Sequence, residues 1–144
     1  MKKIGRSAIV EHSAAEMYAL VEDIEAYPGF LPWCTAAEVH ERRPGTTRAT
    51  LTVGIGGLRH SFTTRNENRP AEAIDMHLEK GPFRRFRGEW RFVPLGPRAS
   101  RIEFSLEYEF SSRALGRLLA PLFDGMADSM VDAFMRRADE VYAD

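Results

Sequence analysis

The sequence predicts an α+β fold in which a curved, seven-stranded antiparallel sheet wraps around one long C-terminal helix. Three observations predict it. Between Thr35 and Phe110 apolar and polar residues alternate with a period of two. From Leu115 to Val141 the apolar residues return at the helical period of 3.6. No other segment is long enough to cover the apolar face of the sheet, and that face has to be covered.

The elements follow in order. Lys3 to Glu11 alternates as a strand, and Ser13-Ala14-Ala15-Glu16 is a capping box that opens a helix. Met17, Leu20, Val21 and Ile24 form that helix's apolar face. The prolines of Tyr27-Pro28-Gly29-Phe30-Leu31-Pro32-Trp33 forbid its continuation and leave a short second helix or tight turn. Six strands then form a meander, marked by runs such as Ala49/Leu51/Val53/Ile55, Ile74/Met76/Leu78, Phe86/Gly88/Trp90/Phe92 and Ile102/Phe104/Leu106/Tyr108/Phe110. Turn signals separate them at Pro44-Gly45, Gly54 to Gly57, Asn68-Arg69-Pro70, Gly81-Pro82 and Leu95-Gly96-Pro97. Ser111-Ser112 supplies a cap for the last helix. Its predicted stripe is Leu115, Leu118, Leu119, Leu122, Phe123, Met126, Met130, Phe134, Ala138 and Val141, with a kink at Pro121.

The chain has 144 residues, 44% hydrophobic and 28% charged, which fits a single domain over 1–144. A net charge of -1 does not mark a polyanion-binding protein, although the positive charge is nearly all arginine. The one cysteine, Cys34, excludes an intrachain disulfide and reads as a small semi-buried hydrophobe in a reducing compartment. The basic N-terminus has no apolar run behind it, and no stretch approaches the ~18 apolar residues of a membrane span. A soluble, cytoplasmic protein is expected.

A seven-stranded sheet is wider than one helix, so it must curl, and a curled sheet leaves space beneath it. Phe62, Met76, Trp90, Phe104, Met126 and Met130 are bulky and adaptable side chains for the wall of such a space. Periodicity alone slightly favours their filling one another's space. No catalytic constellation stands out. Gly54-Ile55-Gly56-Gly57 lacks phosphate-loop spacing and reads as a hairpin turn. His12, His40, His60 and His77 stand singly, without metal-ligand spacing. Arg84, Arg85, Arg87, Arg91, Arg98 and Arg101 form either a phosphate-binding surface or a solvated sheet face paired with Glu89, Glu103 and Glu107.

Five blocks in order carry a family resemblance. They are Asp23-Ile24 with Tyr27-Pro28-x-Phe30-Leu31-Pro32-Trp33-Cys34, then Phe62-Thr63-Thr64-Arg65-Asn66, then Gly81-Pro82-Phe83 with Gly88-x-Trp90-x-Phe92-x-Pro94-Leu95. Ile102 to Phe110 and Met130-Val131-x-Ala133-Phe134-x-x-Arg137-Ala138-x-x-Val141-Tyr142 complete the set. Nearly end to end, the chain resembles the START-like, helix-grip (Bet v 1-like) proteins of the polyketide cyclase and lipid transport superfamily. Within it, the chain is most similar to the coenzyme Q-binding family, which also includes ribosome-association toxins of the RatA type.

The resemblance implies a non-enzymatic carrier that holds ubiquinone, or a similar prenyl lipid, between sheet and helix in support of respiration. Its alternative implication is a toxin that binds the large ribosomal subunit and blocks subunit association. It implies no catalytic residue, metal, catalytic cofactor or DNA partner. Tyr27, Phe30, Leu31 and Trp33 would form an entrance flap, which could also touch the inner face of a membrane. Phe62, Met76, Phe83, Trp90, Phe104, Phe123, Met126, Met130 and Phe134 would hold the ligand. Strand parity lets only one of His60 and Arg65 reach the quinone carbonyls. Phe86 departs from the family's usual aliphatic residue and would shorten the cavity.

Overall fold

The computed structural model describes residues 1–55 and 57–143. In chain order they form β1 (Lys2–Val10), α1 (Ala14–Glu22), a 3₁₀ helix (Ile24–Gly29), β2 (Cys34–Arg43), β3 (Thr46–Ile55) and β4 (Leu58–Arg69). β5 (Ala73–Lys80), β6 (Phe83–Gly96), β7 (Ala99–Phe110) and α2 (Arg113–Val141) follow. The sheet has seven antiparallel strands in the order β1-β7-β6-β5-β4-β3-β2. β2 to β7 are the expected meander. β1 joins beside β7, so the segment through α1 and the 3₁₀ helix carries the chain from one edge of the sheet to the other.

Side chains set the helix boundaries. Ser13 Oγ accepts the Glu16 N–H at 3.1 Å, and the Ser13 N–H donates to Glu16 Oε1 at 3.0 Å, which completes the capping box. Ser112 Oγ accepts the Leu115 N–H at 3.2 Å at the start of α2. α2 continues through Pro121, whose missing N–H removes one rung of the ladder without ending the helix. Between strands, Gly45 takes a left-handed φ of 83° at the β2–β3 turn, a conformation that costs glycine little. The turn expected at Gly54 to Gly57 joins β3 to β4, and Gly56 itself lies outside the described residues.

The core lies between the inner face of the sheet and α2. β7 contributes Ile102, Phe104, Leu106 and Tyr108, and α2 contributes Leu119, Phe123, Met126, Ala127, Val131, Phe134 and Ala138. Two residues of the predicted helix stripe fall outside the core: Leu118 is 52% exposed and Val141 46%. Leu118 sits roughly 100° around the helix from buried Leu119, since successive residues turn by that angle at 3.6 per turn. Val141 lies in the last turn of α2.

Polar contacts fix the remaining pieces. Arg42 on edge strand β2 bonds Glu22 Oε1 through Nε and Glu25 Oε2 through Nη1, each at 2.8 Å, and so clamps the connection against that edge. The Tyr142 hydroxyl donates to the Glu16 carbonyl at 3.0 Å, and His12 meets Asp139 at 2.8 Å, tying the end of α2 to the start of the chain. Arg6 pairs with Asp128 and joins β1 to α2. Among the described residues no helix is long and apolar enough to cross a membrane.

Candidate functional site

Alternation directs every second residue of β3 to β7 inward, and α2 closes the space they enclose. The result is a cavity of about 60 Å³ between sheet and helix. At the ~10–15 Å³ of such volume that one water needs, it has room for about four to six heavy atoms. Among the described residues no charged side chain lines it.

Nine of the residues expected to hold a ligand lie on its wall. Tyr27 and Trp33 contribute from the connection, Phe62, Met76, Trp90 and Phe104 from the sheet, and Phe123, Met126 and Met130 from α2. Four expected residues stand behind that wall instead. Phe83 belongs to an aromatic cluster, 5.1 Å from the Phe86 and Phe110 rings and 5.0 Å from that of Phe123. Phe134 packs edge-on against Tyr27, Phe30 and Trp90 at 5.5, 5.3 and 5.3 Å. Phe30 is half-buried, covered by the Arg137 guanidinium 5.1 Å from its ring centre. Leu31 is 1% exposed and its backbone bonds Tyr27 and Cys34. The segment from Tyr27 to Trp33 therefore packs against the core, with Tyr27, Leu31 and Trp33 buried and Phe30 partly exposed.

The polar candidates also change. His60 and Arg65 do not line the cavity, and Arg65 points outward, 4.0 Å from Glu67. The polar side chains that β4 contributes to it are Thr64 and Asn66, which follow Phe62 in phase along the strand. The Thr64 hydroxyl donates to Asn66 Oδ1 at 2.9 Å. The Tyr27 hydroxyl donates to the Val21 carbonyl, and burial raises its pKa above the ordinary phenol value, so it is neither free nor acidic. Burial pushes the Cys34 thiol up to about 11, which keeps it protonated and unreactive at neutral pH. Among the described residues no group of three or more His, Cys, Asp or Glu side chains is placed to hold a metal.

Phe86 lies on the cavity wall, its ring 5.5 Å from that of Phe62. The β5–β6 ladder runs from Ala73↔Arg91 to His77↔Arg87 and pairs no residue beyond it. On the outside of this unpaired end is a surface groove lined by Met1, Leu78, Phe86, His77, the acidic Glu107 and the basic residues Arg84, Arg85 and Arg87. The Arg/Glu pairing expected for this face is only partial. Arg91 meets Glu89 at 2.7 Å and Arg84 meets Glu109 at 3.9 Å, while Glu107 pairs with Lys3 at 3.8 Å. Arg85, Arg87, Arg98 and Arg101 make no ion pair among the described residues, although Arg87 stands in register opposite Glu107 and its charge acts on Asp75 and Glu89.

The family model for polyketide cyclase / dehydrase and lipid transport proteins matches residues 10–135. The chain belongs to this family. Among its relatives is the ribosome association toxin RatA of Escherichia coli K12, 42% identical over 143 residues, 99% of this chain and 90% of that one. The coenzyme Q-binding protein COQ10 homolog B of Xenopus laevis is 29% identical over 140 residues, 94% of this chain and 57% of that one. The helix-grip fold of the polyketide cyclase and lipid transport family is equally plain in solved structures. The Zhui aromatase/cyclase of Streptomyces sp. R1128 superposes with a TM-score of 0.83 at 18% identity, covering 96% of this chain and 93% of that one.

Proposed function

We propose that this chain is a non-enzymatic ribosome-association factor that binds the large ribosomal subunit and interferes with subunit joining. The observation that carries this reading is the arginine-rich groove, where Arg84, Arg85 and Arg87 gather beside His77 with Glu107 as the one carboxylate on its lining, and where Arg85 and Arg87 make no ion pair among the described residues. Arginine without an internal partner is suited to phosphate, which it meets with a planar fork of N–H donors. The 42% identity to a protein named ribosome association toxin supports the same reading. The expectation that a quinone carrier would be the main function therefore yields to its alternative. Overexpression of the intact protein should raise free subunits relative to assembled ribosomes in sucrose gradients, and the protein should co-sediment with the large subunit at low salt. An unchanged profile without co-sedimentation sinks the proposal.

A second reading, apolar-ligand binding, is favoured by the uncharged cavity and by the COQ10 relative. A volume of about 60 Å³ is far below the ~300–1,000 Å³ of drug-sized sites, so a polyprenyl chain such as that of ubiquinone would require Phe86 and the lining methionines to rotate aside. Mass spectrometry of organic extracts from protein purified out of its own host checks this. Recovery of a stoichiometric quinone supports the reading, and lipid-free protein removes it.

A further inference from the structure

Along the outer side of β6, the charged residues Arg85, Arg87, Glu89 and Arg91 give way to Val93 and Leu95. From Val93 to Arg98 every residue is exposed, and the first five, Val93-Pro94-Leu95-Gly96-Pro97, carry no charge. This is the β6–β7 hairpin, at the opposite end of β6 from Arg84, Arg85 and Arg87. β5 begins at Ala73, opposite Arg91, so β6 runs on past it and the hairpin projects beyond the sheet. A Cβ on Gly96 would meet nothing within 4 Å, which places the tip in open space. The base of the hairpin is fixed. The N–H of buried Phe92 donates to the Glu72 carbonyl at 2.8 Å, and Oγ of buried Ser100 donates to the His12 carbonyl at 2.9 Å. Ile9 of β1 stands in one cross-strand row with Arg101 and Val93. Ile9 is 62% exposed, Leu95 49% and Val93 38%, so three large apolar side chains meet water at one corner of the sheet.

Shape and charge decide what covers them. The free edge of β6 at Val93 to Gly96 is where a peptide strand would add, but Pro94 has no N–H and the register shifts between Pro94 and Gly96. A projecting tip also offers no groove to a partner helix. Arg98 beside the tip and Arg101 between Ile9 and Val93 make no ion pair among the described residues. Glu11, Glu16 and Asp139 share a surface groove with Arg98, where Asp139 is bonded to His12 and Glu16 to the Ser13 cap, and Glu103 acts on Arg91. Apolar side chains flanked by arginine suit the boundary of a bilayer, where the guanidinium meets lipid phosphate and the apolar groups enter the acyl layer.

We infer that the β6–β7 hairpin is a membrane-docking tip, which inserts Leu95 and Val93, with Ile9 beside them, into the surface of an anionic bilayer while Arg98 and Arg101 meet lipid phosphates. Pro94 and Pro97 hold the tip in one shape before it binds, so little conformational freedom is lost on insertion. The tip is separate from both the arginine-rich groove and the cavity, so membrane docking can fail while ribosome binding or apolar-ligand binding stands.

Flotation of the intact chain with vesicles of phosphatidylcholine, or of equimolar phosphatidylcholine and phosphatidylglycerol, tests the assignment. The protein should float with the mixed vesicles at low salt, and less with phosphatidylcholine alone. Leu95→Asp should weaken partitioning about tenfold or more. Arg98→Gln with Arg101→Gln should weaken it on mixed vesicles by roughly fivefold per arginine, and change it little on phosphatidylcholine. A polarity-sensitive dye on Leu95→Cys should shift to the blue on mixed vesicles, while the same dye on Leu118→Cys, exposed on α2, should not. Cys34 is buried and stays unlabelled. Absence of flotation with mixed vesicles at low salt overturns the proposal. So does flotation that Leu95→Asp leaves unchanged, or a dye shift at Leu118 alone. A soluble peptide rich in Glu and Leu that shifts the Leu95 dye where vesicles do not would assign the tip to a protein partner, and overturns the bilayer as well.

Discussion

Asp75 occupies the middle of a row of three carboxylates, paired in register with Glu67 on β4 and Glu89 on β6. Burial raises its pKa above the ordinary carboxylate value, and the neighbouring Glu89 raises it further, while Arg91 holds Glu89 low. One Asp75 oxygen is buried without a partner. The folded protein thus binds this proton more tightly than the unfolded chain does, so the group's stabilising contribution is present at low pH and is lost as pH rises through its folded pKa. Asp75→Asn should therefore raise the melting temperature at pH 7, with the gain shrinking as pH falls toward the ordinary Asp value of ~3.9; thermal melts from pH 4 to 8 check it. The cavity's aromatic and methionine wall was legible because those residues keep the phase of their strands. Thr64 and Asn66 share the phase of Phe62, and that phase was the available signal that they point inward. Phe30, Leu31, Phe83 and Phe134 are just as apolar as the wall residues, and no pattern in one chain tells a wall residue from the layer behind it.

At the level of elements, local chemistry sets both boundaries and space. Ser13→Ala would remove the α1 cap and should cost ~1 kcal/mol in urea unfolding with an unchanged m-value. Gly88 faces Met76 across the β5–β6 pair, and a Cβ there would overlap the Met76 methyl. Gly88→Ala should push Met76 into the cavity and destabilise the protein by ~1–3 kcal/mol, the range for overpacking. The Met76 methyl signal and a denaturant curve test the two halves of that expectation. Strands and caps were readable because period-two alternation and the Ser13/Glu16 spacing are local. The stripe on α2 was less so. Leu118 fits an i, i+4 row with Leu122, yet it is exposed because the sheet covers the row through Leu119 and Phe123. Which of two adjacent rows is buried depends on a partner far away in the chain.

On the scale of the whole molecule, one wall of Phe86 belongs to the interior and the other to the basic groove. Phe86→Leu should enlarge the cavity and raise the quinone recovered in organic extracts of the purified protein, while leaving Arg85 and Arg87 in place. Arg85→Glu with Arg87→Glu should do the reverse. It should abolish co-sedimentation at moderate salt and reduce the slope of log affinity against log salt by roughly two, with cavity binding unaffected. The sheet that unites these regions also imposes an order on their appearance. β1 has its hydrogen-bonding partner in β7, with Lys2 opposite Tyr108 and Val10 opposite Ser100, and Arg6 waits for Asp128. During synthesis β1 must therefore remain unpaired until about ninety further residues have left the exit tunnel, and such long loop closure is slow. A growing chain that lacks β7 and α2 has neither a finished cavity nor a complete arginine-rich face, so the binding proposed for either region would begin only once both elements have emerged.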